Sequence, residues 1–466
     1  MLNVLNENIE GGEPALGGDR RVLFGTDGVR DVANKGGMTP EMALRLGRAF
    51  ILFLAERGVP RPRIVLGRDT RRSGMMLEGA LSAGMTSAGA EVFSIGVIPT
   101  PGVSFGIQDA EADGGAVISA SHNPAEYNGI KFLDRDGCKL SDEAEISIEE
   151  YLGDNLTDDW RPTGASIGEI RPLAHLVPNY AEHLASLVHS PDSLPSSVVF
   201  DCANGAAGAV LPFLMKRLGL NWTLTAVEPD GLNINEGVGV IHIQHLADRV
   251  RELGCQMGFA CDGDADRVLT VDSAGRVIDG DIAIWLLARW MAARGGLDGG
   301  VVVTGMSNMA LEEHLLHENI RVFRCSIGDR YVLECMRKHG ARLGGEQSGH
   351  IIATPFTRTG DGLCTALLML NALRDLKEDV NTLVDRFGRY PQRLDNLTIA
   401  EDCIIDMEFV RSISDEMEKR MCGNGRVLIR PSGTEPLLRI LVEARDRGMV
   451  DEVSEHLTTV LRAHCS

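Results

Sequence analysis

The sequence predicts an α/β protein of several domains: three related α/β units followed by a smaller, mostly antiparallel α+β domain. Two observations carry this. At 466 residues the chain exceeds what one core organises, and at about 150 residues per domain it divides into roughly three, or four if they are small. A pattern of β-branched strand, polar or glycine-bearing turn and amphipathic helix then recurs three times. Each time another strand follows, the order that crossover connections and parallel pairing require.

Met1–Asp19 contains Gly11, Gly12, Gly17 and Gly18, has no periodicity, and lacks a basic segment followed by an apolar one. Residues 1–20 are therefore read as a loose tail. The first repeat runs from a strand at Arg63–Arg68 through Asp69, Thr70 and Ser73 to a helix at Met75–Ala88 and a strand at Glu91–Ile95. The second runs from Ser197–Asp201 through Asn204 and Gly205 to a helix around Val210–Leu218 and a strand at Thr223–Val227. The third runs from Val301–Thr304 through Ser307 and Asn308 to a helix ending near His317 and a strand at Ile320–Cys325. Asn155–Gly164 reads as a linker, and so does Arg276–Asp281 after a hairpin that turns at Ser273–Gly275. The last portion alternates differently: strands at Arg393–Ile399, Arg426–Arg430 and Leu437–Ala444 accompany helices at Asp406–Met421 and Val450–His464. The domains are accordingly placed at residues 21–162, 163–276, 277–378 and 379–466.

Composition excludes several classes. Hydrophobic residues at 44% and charged residues at 24% are ordinary for a globular protein. The longest apolar runs, Ala49–Ala55 and Ile282–Ala288, stop at Glu56 and Arg289, too short to span a bilayer. A formal net charge of −20 argues against nucleic acid and against an anionic membrane as partners. Ten cysteines occur singly with no Cys-x-x-Cys pair, which suits thiols kept reduced in a cytoplasm. So acidic a chain holds an anionic ligand only by concentrating arginine and lysine locally.

Four loops carry the chemistry-bearing residues. In Ala116–Phe132 a short apolar strand gives way to Ser121, His122 and Asn123, and Pro124 keeps Asn123 out of a helix. A hydroxyl at a strand end beside an imidazole, with Lys131 ten residues on, is a place for a nucleophile. The alternative, a strand exit rich in turn formers, stays open on this segment alone. In Asp262–Arg267, Asp262, Asp264 and Asp266 alternate with small residues directly after an apolar strand. Carboxylates so spaced repel unless a cation joins them, and oxygen ligands select Mg²⁺ or a similar hard ion. Arg267 in the sixth position and Ser273 in the twelfth exclude an EF-hand, and Arg267 is placed to hold a phosphate that shares the metal. In Gly344–His350, paired glycines permit close backbone approach, while Glu346 and Ser348 offer an acceptor and a donor suited to vicinal sugar hydroxyls. In Arg430–Pro436, a guanidinium, two hydroxyls and backbone N–H groups around Gly433 make an anion nest; the ending of a Walker loop is absent. Phe24–Arg30 adds a fifth glycine-punctuated turn that ends in arginine.

Taken in chain order from Phe24–Arg30 to Arg430–Pro436, these five segments resemble those of the α-D-phosphohexomutase superfamily from Phe24 to Glu443, and Gln347 points to its glucosamine branch. The resemblance implies four domains around a central cleft, the first three with mixed sheets and the last binding phosphate. It further implies that Ser121 is phosphorylated in the active enzyme and that Asp262, Asp264 and Asp266 hold Mg²⁺ together with a phosphoserine oxygen. Lys131, Arg30 and His350 match residues around the transferring proton and phosphoryl group. Glu346 and Ser348 match the sugar contacts, and Arg430, Ser432, Gly433 and Thr434 match the clamp for the phosphate not in transfer. Two departures stand out: Asp31 where a glycine commonly follows the first arginine, and Val238–Ile243 in place of Cys-Gly-Ser-Thr/Ala-His-Pro after Gly231–Asn235.

The activity so implied is interconversion of glucosamine 6-phosphate and glucosamine 1-phosphate through a hexosamine 1,6-bisphosphate, feeding UDP-N-acetylglucosamine and peptidoglycan precursors. The expected partner is a small hexosamine phosphate, and a homodimer is compatible with the resemblance. Mannose or glucose phosphates would use the same machinery. A noncatalytic sugar-phosphate sensor is disfavoured by the intact Ser121, Lys131 and three aspartates, and a serine hydrolase by the lack of Gly-x-Ser-x-Gly.

Overall fold

A computed structural model describes residues 23–25, 27–152, 160–399, 405–431 and 437–464. The expected tail at 1–20 and most of the polar stretch before Gly164 lie outside these residues.

The first domain carries strands Val29–Val32 (β1), Arg63–Arg68 (β2), Glu91–Val97 (β3), Gly114–Ile118 (β4), Tyr127–Leu133 (β5) and Ile170–Pro172 (β6), in the sheet order β1-β5-β4-β2-β3-β6. Strand β2 pairs in parallel with β3 and β4, and β5 returns antiparallel between β4 and β1. Ile64–Gly67 are buried throughout, as a continuous apolar run between two covered faces must be. Four helices accompany the sheet: Pro40–Glu56 (α1), Gly74–Ser87 (α2), Thr100–Asp109 (α3) and Asp142–Glu150 (α4). Thr39 starts α1 by accepting a hydrogen bond from Met42 N at 3.2 Å, with Pro40 in the first turn. Helices α1 and α2 approach so closely that a side-chain carbon at Gly84 would sit 2.0 Å from the Leu44 carbonyl, a contact that glycine alone permits.

In the second domain follow Leu176–Ser186 (α5), Val198–Asp201 (β7), Ala207–Leu218 (α6), Thr223–Thr225 (β8), Ile243–Leu253 (α7), Met257–Cys261 (β9), Val268–Asp272 (β10) and Val277–Ile278 (β11). Its sheet order is β11-β10-β9-β7-β8. The third comprises Gly280–Ala293 (α8), Val301–Thr304 (β12), Met309–His317 (α9), Val322–Cys325 (β13), Asp329–His339 (α10), Leu343–Gly345 (β14), Ile351–Ala353 (β15), Gly362–Leu376 (α11) and Val380–Phe387 (α12), with the order β13-β12-β14-β15. Gln392–Thr398 (β16), Met407–Met421 (α13), Gly425–Pro431 (β17), Leu437–Ala444 (β18) and Arg447–His464 (α14) complete the chain as an antiparallel sheet, β16-β18-β17, covered by two helices. This is the α+β unit that the alternation at the end of the sequence implies.

One topological step recurs in the first three sheets. A parallel strand is followed at once by an antiparallel neighbour: β4 by β5, β9 by β10 and β14 by β15. The reversals between them are the Ser121, Asp262 and Glu346 loops. The motifs thus occupy one structural position in three copies of a unit.

Two segments differ from the sequence reading. Strand β6 pairs with β3 and so belongs to the first sheet, although it lies beyond residue 162. Arg276–Asp281 is no linker: Val277 and Ile278 pair with Val271 and Thr270, and Asp279 caps α8 through Ile282 N. Its polar residues are a hairpin arm and a helix cap, which look like a linker when composition alone is read.

The second and third domains share a continuous core through Tyr180, Phe200, Phe259, Trp285 and Leu367, whereas α1 and α2 cover a separate one. Among the described residues no helix is long and apolar enough to cross a membrane.

Candidate active site

Ser121 opens the turn after β4 in a left-handed conformation, φ 52°, and is buried. Its N–H donates to Ser119 Oγ at 2.9 Å, and its hydroxyl donates to Asp262 Oδ2 at 2.5 Å. His122 Nδ1 lies 3.4 Å from the same hydroxyl and accepts from Arg267 Nη1 at 3.1 Å. Burial, with Arg267 and Arg30 beside it, pushes the His122 pKa down to about 4. The ring is neutral near pH 7, as an acceptor from a guanidinium must be.

Asp262, Asp264 and Asp266 are buried, with ligand oxygens within 4.8 Å of one another. Asp264 Oδ2 accepts from Thr100 Oγ1 at 2.6 Å and Lys131 Nζ at 3.1 Å. Asp264 Oδ1 and Asp266 Oδ1 are buried with no hydrogen-bond partner. Burial, then Asp266 and Asp264, push the Asp262 pKa far up. Burial acts the same way on Asp266 but is outweighed by His350, Lys131 and Arg267, which hold it far down. Two buried carboxylate oxygens without a hydrogen bond, that of Asp266 having only Arg267 Nε at 3.8 Å, in an all-oxygen set of three acids are what a hard divalent cation would satisfy, so the residues fit Mg²⁺.

Around this cluster runs a closed ring of alternating charge drawn from three domains. Lys131 Nζ lies 3.9 Å from Asp266 and 3.0 Å from Asp27. Lys139 bridges Asp27 and Asp329. His350 closes the circuit, with Nε2 3.6 Å from Asp329 and Nδ1 3.6 Å from Asp266. Burial alone would lower the pKa of Lys131, but Asp264, Asp27 and Asp266 hold it above the ordinary lysine value. His350 is raised in the same way, burial being overcome by Asp266. Backbone bonds knit the loops as well: Arg267 bridges to His350, and Val268 N donates to Gly349 O at 3.1 Å.

Arg30 ion-pairs with Asp27 at 2.6 Å and donates to Asn123 Oδ1 at 3.2 Å. Glu346 accepts from Gly328 N at 3.1 Å and from Ser348 Oγ at 3.2 Å. Gln347 turns the other way and donates to Asp281 at 3.2 Å. The structure therefore gathers Ser121, Lys131, Arg30, Arg267, His350 and the three aspartates, with Glu346 and Ser348 on the adjoining loop. Arg430 stands apart on β17, opposite Arg439 of β18, and burial together with Arg439 lowers its pKa. Ser432, Gly433 and Thr434 lie outside the described residues.

The sequence reading missed Lys139, Asp329, Thr100, Arg71 and Asn235. Asp27 had a signal, since it lies within the quoted Phe24–Arg30 segment. Lys139 and Asp329 had none, because they meet only when the first and third domains pack together.

Four family models match the chain: phosphoglucomutase/phosphomannomutase α/β/α domain I at residues 21–157, domain II at 178–275, domain III at 279–390 and the C-terminal domain at 376–459. A phosphoglucosamine mutase of Symbiobacterium thermophilum is 44% identical over 442 residues, covering 94% of this chain and 98% of that protein. One from Bacillus velezensis is 42% identical over 441 residues with the same coverage. Among solved structures, a phosphoglucomutase/phosphomannomutase family protein of Burkholderia thailandensis superposes with a TM-score of 0.77 at 24% identity, covering 94% of this chain and 97% of that one. The Aspergillus fumigatus N-acetylphosphoglucosamine mutase, solved with GlcNAc-6P and magnesium, gives 0.66 at 18% identity and 96% coverage of both chains. At these identities the structural likenesses concern the fold.

Proposed function

The chain belongs to the phosphoglucosamine mutase family of phosphohexomutases, and we propose that it interconverts glucosamine 6-phosphate and glucosamine 1-phosphate. The observation that carries this is the Ser121 hydroxyl, 2.5 Å from Asp262 at the edge of the buried three-aspartate cluster. A phosphoryl group on that oxygen would stand beside Lys131, Arg267 and Arg30 in a chain that is otherwise strongly acidic.

In this reading phosphorylated Ser121 transfers its phosphoryl group to the sugar O1. The serine Oγ–P bond breaks and an O1–P bond forms, giving a 1,6-bisphosphate. The O1 proton leaves and the serine oxygen gains one, so each transfer is proton-neutral. Lys131 and His350, both held toward their protonated forms, border the path. After the bisphosphate turns end for end, the 6-phosphoryl returns to Ser121 and glucosamine 1-phosphate departs. Asp262, Asp264 and Asp266 would hold Mg²⁺, which when bound supplies charge neutralisation for the transferring group. Lys131 and Arg267 do the same from the chain's own side, and Arg30, fixed by Asp27 and Asn123, orients the phosphate.

Glu346 and Ser348 would read the sugar hydroxyls. Arg430 with Ser432, Gly433 and Thr434 would take the idle phosphate, so that a bisphosphate binds in either sense. Gln347 bonds to Asp281 in the first turn of α8 and so bears on sugar choice through the seating of the loop. The product suits a route to UDP-N-acetylglucosamine in the cytoplasm. Coupled assays on glucosamine, glucose and mannose phosphates test the reading: kcat/KM highest for glucosamine 6-phosphate is expected, and absence of turnover on all three would overturn it.

A further inference from the structure

Resting on the mutase reading above, we propose that Arg71 and Asn235 are positioning residues: from two domains they clamp the same backbone carbonyls of the nucleophile loop. Arg71 is 1% exposed. Asp69 fixes it, accepting from its Nε at 2.9 Å and from its backbone N at 3.0 Å. Arg71 Nη2 donates to the Ser121 carbonyl at 3.0 Å and to the Asn123 carbonyl at 2.8 Å, while Nη1 donates to the carbonyls of Tyr127, at 3.0 Å, and Pro124. One guanidinium therefore spends its fork on four carbonyls of one turn.

Asn235 reaches the turn from the second domain. Its Nδ2 donates to the Ser121 carbonyl at 2.9 Å and to the Asn123 carbonyl at 3.1 Å, the two that Arg71 Nη2 already holds. Asn235 is itself fixed: its backbone is left-handed, φ 59°, and its N–H donates to Ala203 O at 2.9 Å. The segment that carries it starts at Gly231, whose carbonyl accepts from Arg72 N at 2.9 Å. Gly231–Asn235 thus gains a role that its sequence did not disclose.

The geometry explains why the clamp bears on chemistry. Ser121 has a positive φ, which an L residue adopts only when its surroundings impose it. With both donors gone the peptide after Ser121 is free to turn, and the backbone can then relax from its left-handed conformation, which re-aims Cβ and with it Oγ relative to Asp262. The remaining side is closed too, since a side-chain carbon at Gly263 would lie 2.7 Å from the Ser121 carbonyl. The first domain supplies the nucleophile and the second the acidic loop, and the shared carbonyls keep the two in register for in-line transfer.

The test uses the full chain and its Asn235→Asp, Asn235→Ala and Arg71→Lys variants. Asn235→Asp is nearly isosteric but replaces the donating amide by an acceptor; Arg71→Lys keeps the charge against Asp69 and cannot span four carbonyls. The readouts are kcat, KM, melting temperature and the single-turnover rate of Ser121 phosphorylation by glucose 1,6-bisphosphate. Both kcat and the phosphorylation rate are expected to fall about 10- to 100-fold in Asn235→Asp and Arg71→Lys, with KM within about threefold of the parent. Asn235→Ala is expected to lose less than Asn235→Asp, because it adds no repelling acceptor. Variants that melt earlier yet keep the parent kcat and phosphorylation rate per folded molecule would overturn the clamp. Should Asn235→Asp fail to fold, Arg71→Lys alone decides by the same criteria. Failure of the parent chain to turn over or take up phosphate would overturn the mutase reading itself, and needs no variant to detect.

Discussion

Ser121 Oγ donates to Asp262 Oδ2 at 2.5 Å across 141 residues of sequence. A hydroxyl that supplies the hydrogen bond to a buried carboxylate in an acidic cluster is either a nucleophile or a structural plug, and Ser121→Ala separates the two. Turnover should fall by at least about a thousandfold, as for loss of a nucleophile, while unfolding stability changes by only about 1 to 2 kcal/mol for the lost hydrogen bond. Steady-state kinetics with urea denaturation check this.

The buried Asp264 and Asp266 oxygens that accept no hydrogen bond predict that a divalent cation stabilises the fold. Mg²⁺ at about 100 times its dissociation constant should add about 2.7 kcal/mol to unfolding. Asp264→Asn should abolish most of that increment. Thermal melts with and without chelator read it independently of activity.

Lys139 links Asp27 to Asp329 across the first and third domains. Lys139→Met removes the cation that Asp27 and Asp329 share, leaves Lys131, Arg30 and His350 beside them, and should cost about 1 to 3 kcal/mol. The double variant Lys139→Met with Asp329→Asn should recover part of it. Denaturation of the singles and the double gives the coupling.

Asp361 caps α11 through Cys364 N at 2.9 Å and accepts from Tyr180 Oη at 2.6 Å, yet burial pushes its pKa up to about 6. A carboxyl with a raised folded-state pKa binds its proton more tightly in the folded chain. Its stabilising effect is present below the unfolded pKa and is lost as pH climbs through the folded one. Asp361→Asn should therefore match the parent near pH 4 and exceed it at pH 7 by about 3 kcal/mol, at about 1.4 kcal/mol per unit. Parallel urea titrations at the two pH values check both sign and size.

Arg430→Ala tests the phosphate clamp. Loss of a charge-assisted hydrogen bond of about 1 to 3 kcal/mol should raise KM for the sugar phosphate by about 5- to 150-fold. Unchanged kcat and KM would remove Arg430 from the site.

Much of this was legible in the residues. Ile64–Gly67 and Val301–Val303 are unbroken runs without a polar side chain, and both lie in buried strands within a residue of where they were placed. The motif loops could be found because each follows such a strand. Boundaries were harder where polar residues serve the fold: Asp279 caps a helix, and Ile170–Pro172 joins a sheet whose other strands end some 40 residues earlier, at Leu133. The charge ring was not legible, because Lys139 and Asp329 are 190 residues apart and neither lies in a patterned loop. Arg71 was not legible either, because the loop whose carbonyls it holds begins 50 residues further on.

Intact-mass measurement of the purified chain, before and after addition of excess glucosamine 6-phosphate, bears most directly on phosphoryl transfer through Ser121. One phosphoryl group mapped to Ser121 is expected, and when the added glucosamine 6-phosphate carries an isotopically labelled phosphate the label should replace it there, because each cycle returns the 6-phosphoryl group to the serine. Sustained mutase turnover by a chain that never carries phosphate on Ser121, or whose Ser121 phosphate never exchanges with the label, would contradict the mechanism.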